Sequence, residues 1–148
     1  MLDSLTLPPA PPASHALTDQ GFLFATGIEN SAPTLDGGRI RRDQMAECGH
    51  YDRWRDDLAL VKQIGCGVLR YGPQLHATLR GPGRYDWSFA DESFAEIRRL
   101  GILPVVDLCH FGVPDWIGDF QNPDFPAVFA DYAEALPAAS PGCSSTPR

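Results

Sequence analysis

Basic charge is what this chain has least of: 12 Lys and Arg stand against 19 Asp and Glu, a formal net charge of −7. With no basic stripe to neutralise phosphates, the composition argues against a nucleic-acid partner. Paired arginines such as Arg98-Arg99 read as a solvated helix face. Cysteine is sparse and scattered. Cys48, Cys66, Cys109 and Cys143 form no C-x-x-C pair, so neither a zinc site nor a disulfide framework is expected, and no cofactor or metal is implied. Long apolar runs are missing too. No segment approaches the roughly 20 residues needed to span a bilayer, so no membrane association is expected. Residues 1–20 lack the basic and apolar regions of a secretory signal and carry Pro8, Pro9, Pro11 and Pro12. They read as a disordered, Pro-rich lead-in to a cytoplasmic protein.

What is present is an alternation of short apolar runs and amphipathic stretches. Phe22 to Gly27 is a short apolar run closed by glycine, as a buried parallel strand would be. A polar loop is expected from Ser31 to Gly49. From His50 to Ile64 the period becomes helical, with Trp54, Leu58 and Val61 on one face and Leu60 and Ile64 beside them, and Gly65 as the stop. Val68 to Tyr71 reads as a second strand, followed by a loop rich in turn residues through Gly81-Pro82-Gly83. Ala90, Phe94, Ile97 and Leu100 mark a second helix ending at Gly101. Ile102 to Leu108 reads as a third strand, and a third helical stretch covers Asp124 to Ala135.

The order β-α-β-α-β-α predicts an α/β fold with a parallel sheet and helical crossovers. An open nucleotide-binding sheet would place a glycine-rich turn after the first strand. Gly27-Ile28-Glu29-Asn30 is a poor version of one. Residue pattern alone therefore favours the first units of a TIM (β/α)8 barrel modestly over an open doubly wound sheet.

Three stretches, in order, carry a resemblance. Cys48-Gly49-His50-Tyr51 leads into an acidic-aliphatic helix ending Lys62-Gln63-Ile64-Gly65. Leu69-Arg70-Tyr71 resembles a Tyr-Arg-Phe strand. Gly101-Ile102-Leu103-Pro104-Val105-Val106-Asp107-Leu108-Cys109-His110-Phe111-Gly112-Val113-Pro114 resembles Gly-Ile-x-Pro-x-Val-Thr-Leu-His-His-Trp-Asp-x-Pro. Together they resemble glycoside hydrolase family 1, the β-glucosidase-like enzymes, over residues 21–135. The resemblance implies a retaining hydrolase of O-glycosyl bonds, acting on a β-glycoside or oligosaccharide.

By that resemblance Arg70, at the end of the second strand, would hydrogen-bond the nucleophilic carboxylate. His110 would donate to a sugar hydroxyl. Phe111, where the family has Trp, would keep an apolar wall without an indole N–H. Glu29 and Asn30 lie near the family's sugar-binding Gln. His50 and Tyr51 read as structural, and His15 and His76 have no supporting context. Trp116 has two open readings, pocket wall or packing under its loop.

Retaining hydrolysis needs two carboxyl groups about 5–5.5 Å apart. In the family they stand in Thr-x-Asn-Glu-Pro and Glu-Asn-Gly motifs, and neither motif occurs here. The expectation is a chain inactive by itself, cut short before the catalytic Asn-Glu. Residues 136–148 turn to Pro, Ser and Ala and read as an aberrant tail. Permitted codons shifted by one base would restore an apolar fourth strand, which suggests a reading-frame slip. Three of eight units leave sheet edges and helix faces unpaired, so poor solubility is expected. The alternatives are a non-catalytic fragment, or a sugar-processing barrel fused to a sugar-nucleotide reductase.

Overall fold

The computed structural model describes residues 23–139; the expected lead-in of residues 1–20, Phe22, His15 and Cys143 lie outside the described residues. Strand β1 (Ala25–Gly27) is followed by a small antiparallel hairpin, β2 (Thr34–Leu35) and β3 (Ile40–Arg41), then the one-turn helix α1 (Gln44–Glu47). The segment expected to be a plain loop is therefore structured. Asp43 makes it so: its Oδ1 accepts from the Ala46 N–H at 3.0 Å and caps α1.

Helix α2 (His50–Gln63) follows the helical period read from the sequence. Trp54, Leu58 and Val61 are buried, as their spacing requires. Gly65, at φ 86°, takes the left-handed conformation that ends the helix, and Cys66 N–H donates back to Val61 O at 3.2 Å. Leu60 and Ile64 lie beside that face. They are exposed and line an open groove between α2 and the outer edge of β1, where no further strand stands among the described residues.

The remaining elements are β4 (Val68–Tyr71), the short helix α3 (Leu75–Thr78), the hairpin β5 (Leu79–Gly81) and β6 (Arg84–Tyr85), α4 (Ser88–Arg99), β7 (Leu103–Val106) and α5 (Phe125–Ala139). Strands β1, β4 and β7 form one parallel sheet in that order. Each new strand joins the same edge, which is how a barrel grows; a doubly wound sheet reverses direction. Helix α5 runs on through Pro137 to Ala139, beyond the expected change of character at Leu136. Residues 140–148 lie outside the described residues.

The two faces of the sheet differ because strand side chains alternate. Leu69 and Tyr71 point toward the helices and are buried, packing with Trp54, Leu58, Phe94 and Ile97 in the main core. Arg70, between them, points to the uncovered face with Val105, its register partner on β7. A second core holds α5 in place. Tyr85 stacks on Trp87, Trp87 on Tyr132 and Tyr132 on Phe129, with ring centroids 5.5, 5.4 and 6.1 Å apart. Tyr132 is fully buried at the centre of this stack, and Tyr85, Trp87 and Phe129 are partly buried around it.

Candidate functional site

The uncovered face carries one polar cluster, and strand register assembles it. Gly27, Arg70 and Val105 are aligned across the three strands. Residues two positions further along share the same face, so Glu29 and Asp107 arrive on either side of Arg70. Arg70 donates from Nη1 to Glu29 Oε1 at 3.3 Å and from Nη2 to Asp107 Oδ2 at 2.6 Å. The same Nη2 lies 2.8 Å from His110 Nδ1. His110 Nε2 is 3.3 Å from Glu29 Oε2, and its Nδ1 is 3.4 Å from Asp107 Oδ2. The four residues stand at the C-terminal ends of three neighbouring parallel strands, where (β/α) barrels place their active sites.

Exposure grades across this cluster. The Arg70 and Glu29 side chains are 44% and 53% exposed, whereas Asp107 and His110 are at 11% and 16%. The inner pair is therefore rigidly held, and the outer pair meets solvent. Beside them lies an open groove of about 420 Å³, lined by Arg70, His110, Phe111, Phe120, Phe125 and Phe129 among others. Phe111 adopts φ 55° and stands edge-on to the His110 ring at 4.9 Å. Cys109 also faces the groove, and burial pushes its thiol pKa up, which keeps it protonated and a poor nucleophile.

The loops that carry the cluster are tied to each other. Arg41 donates to Ala32 O and Val113 O, both at 2.8 Å, so the hairpin after β1 is pinned to the loop after β7. Gly72 lies against the end of β7 so closely that a Cβ there would come within 1.8 Å of Asp107 O. That close approach sets where the Asp107 backbone sits.

Of the residues singled out from the sequence, Arg70, His110, Glu29 and Phe111 come together. Asn30 does not join them. It is buried, donates from Nδ2 to Pro73 O at 2.8 Å, and leaves its Oδ1 without a partner. It links the loop after β1 to the loop after β4. Trp116 does not line the groove; its indole donates to Leu79 O at 3.2 Å. His50 is buried between Asp57 Oδ2 at 2.7 Å and Tyr71 OH at 2.9 Å. Tyr51 donates to Asp43 Oδ2 at 3.0 Å. Both therefore occupy structural positions. Asp107 is what sequence reasoning missed: its partnership with Arg70 depends on strand register. The signal was available as two strand-end residues at equal offsets from an aligned arginine. Among the described residues no group of three or more His, Cys, Asp and Glu side chains is arranged to hold a metal ion.

A partial parallel barrel with a polar, Arg-centred cluster at its strand ends defines the class. No model of a known protein family matches the chain, but individual proteins do. β-Glucosidase A of Thermotoga maritima is 26% identical over 144 aligned positions, covering 79% of this chain and 32% of the relative. A bifunctional β-D-glucosidase/β-D-fucosidase of Bifidobacterium breve is 25% identical, covering 77% and 31%. A 6-phospho-β-glucosidase of Escherichia coli is 31% identical over 94 positions, covering 56% and 19%. Among solved structures, a β-glucosidase from Exiguobacterium marinum superposes with a TM-score of 0.66 at 21% identity, covering 80% of this chain and 32% of that one. The family 1 β-glucosidase of Thermotoga maritima gives 0.65 at 21%, covering 79% and 32%. The chain is similar to β-glucosidases of glycoside hydrolase family 1 and spans about a third of the length of these relatives.

Proposed function

We propose that this chain builds the sugar-binding side of a retaining β-glycosidase site. Its contacts to a β-glycoside would come from Glu29, Arg70 and His110, with Phe111 as the apolar wall. Asn30 holds the loop that presents Glu29. The observation that carries this reading is the convergence of Arg70, His110, Glu29 and Asp107 at the C-terminal ends of β1, β4 and β7, beside an aromatic groove. Sugar sites combine these two elements. Planar charged groups meet the hydroxyls, and an apolar wall meets the C–H face of the ring.

Hydrolysis itself asks for more. A retaining mechanism uses an acid/base and a nucleophile on opposite sides of the scissile bond. Glu29 and Asp107 are both committed to Arg70. We therefore assign hydrolysis to a protein that also carries the two family motifs. The relatives named above are glycosidases, which supports this reading over a barrel fused to a sugar-nucleotide reductase. No helix among the described residues is long and apolar enough to cross a membrane; the cytoplasmic placement rests on the sequence alone.

Titration of the labelled chain with methyl β-glucoside tests the binding reading. Shifts concentrated at Glu29, Arg70, His110 and Phe111 are expected. Saturating sugar with no shift at these residues, or clear turnover of an aryl β-glucoside by the 148-residue chain, would overturn it.

A further inference from the structure

We propose that Arg70, anchored by Asp107, locks His110 into a single neutral tautomer, with Nδ1 as acceptor and Nε2–H as the donor offered to the open side of the site. A guanidinium can only donate. With Arg70 Nη2 at 2.8 Å from His110 Nδ1, that nitrogen must present its lone pair, and the ring proton sits on Nε2. Nε2 then faces Glu29 Oε2 at 3.3 Å, a carboxylate that can only accept. Both ring contacts thus require the same tautomer.

The competing arrangement is worse at each end. Placing the proton on Nδ1 would direct it at Asp107 Oδ2, 3.4 Å away, and would set two donors against each other at the 2.8 Å contact with Arg70. It would also turn the bare Nε2 onto the Glu29 carboxylate, acceptor against acceptor. What prevents Arg70 from swinging aside is Asp107. Its bond to Nη2, at 2.6 Å, is short and charge-assisted, and its carboxylate is 11% exposed and hence little screened. The motif that this strand resembles has a threonine at the Asp107 position. A neutral hydroxyl would hold the guanidinium less firmly.

Asp107 is thus a positioning residue acting through Arg70 on His110. If the sugar-site reading holds, a ligand hydroxyl would accept from His110 Nε2–H and donate to Glu29, so the lock fixes which way that hydroxyl is read. The lock itself rests on the geometry of Arg70, Asp107, His110 and Glu29 alone.

Nitrogen-15 spectra of the histidine ring in the full chain, recorded without ligand near neutral pH, test it. His110→Gln identifies the resonances among the four histidines. The expected result is a bare Nδ1 and a protonated Nε2. A proton on Nδ1, or on both nitrogens, would overturn the proposal. In Arg70→Met, Nδ1 loses its donor and can take a proton toward Asp107 while Nε2–H still faces Glu29, so the Nδ1 resonance should move away from that of a bare nitrogen; a His110 spectrum left unchanged would overturn the lock. In Asp107→Asn, with the anchor weakened, the Nδ1 resonance should shift part of the way seen in Arg70→Met; an unchanged spectrum would remove Asp107 from the mechanism. The wild-type spectrum decides the tautomer even where a variant folds poorly. Methyl β-glucoside is added only afterwards, so a lack of sugar response would count against the sugar site while leaving the tautomer result standing.

Discussion

His50 and His110 are each paired with a carboxylate and a second polar partner, yet they do different things. His50 is 1% exposed, and its partners Asp57 and Tyr71 close around it; both ring nitrogens are satisfied by groups on α2 and β4. His110 has the same kind of contacts, but two of its partners, Arg70 and Glu29, are about half exposed. The first arrangement is saturated and can only hold structure. The second keeps donors and acceptors within reach of a ligand. The difference arises from the sheet: Tyr71 points under the helices, whereas Arg70, one residue earlier, points to the uncovered face.

The most drastic way to break the comparison is Gly72→Ala. The new Cβ would collide with Asp107 O, and backbone cannot yield as a flexible side chain can. A loss of about 3 kcal/mol in urea unfolding is expected, since overpacking at a close contact falls in that range. Arg70 should lose its Asp107 contact in the same variant, so the site and the fold fail together.

Next in size is His50→Ala, which removes the ring partner of the buried Tyr71 hydroxyl and of the partly exposed Asp57 carboxylate and leaves a hole where the ring packed. A loss of about 2 kcal/mol is expected from the two lost hydrogen bonds and the cavity. Stability measured by urea unfolding should fall, while the His110 ring spectrum should stay as in the wild type.

His76 sharpens the contrast through pH. Burial, with help from the nearby Arg41 charge, lowers its pKa below the ordinary 6.5. The unfolded chain therefore binds this proton more tightly than the folded one. The stability it contributes is fully present above pH 6.5 and is lost as pH falls through the lower folded value. Glu47, Asp86 and Glu96 are held low by Arg42, by Ser88 and by Arg99, so they act in a more acidic window. In His76→Gln, the decline in stability just below pH 6.5 should flatten. A wild-type slope in that variant would assign the decline to other groups.

The smallest expected effect on stability is that of His110→Ala. Its contacts to Arg70 and Glu29 lie at a half-open surface, where such polar contacts are worth at most about 1 kcal/mol. Urea unfolding should barely change, whereas the response to methyl β-glucoside should be lost. A stability loss as large as that of His50→Ala would erase the distinction between the two histidines.

Much of the fold was legible because it is written in local periods. The face of Trp54, Leu58 and Val61 identified α2, the Gly65 stop closed it, and the apolar runs gave β4 and β7. The hairpin β2–β3 was not legible, since two-residue strands carry no period. What orders it is Arg41, whose anchors, Ala32 and Val113, lie 9 and 72 residues away. The exposure of Leu60 and Ile64 was not legible for a related reason. Helical spacing shows that they flank the apolar face, but only the position of β1 shows that this flank is uncovered.

The candidate site divides along the same line. Arg70, His110, Phe111 and Glu29 could be named from motifs, because each motif is a short run of neighbours. Asn30 could be named but not placed, since its burial depends on a carbonyl 43 residues away. By itself, the sequence determined the alternation of strand and helix, the helix stops and the family likeness, all properties of residues close together in the chain. Only the tertiary structure decided that Arg70 is shared by Glu29 and Asp107, 41 and 37 residues distant. That partnership follows from the register of three parallel strands, and register is fixed by packing one face of the sheet against its helices.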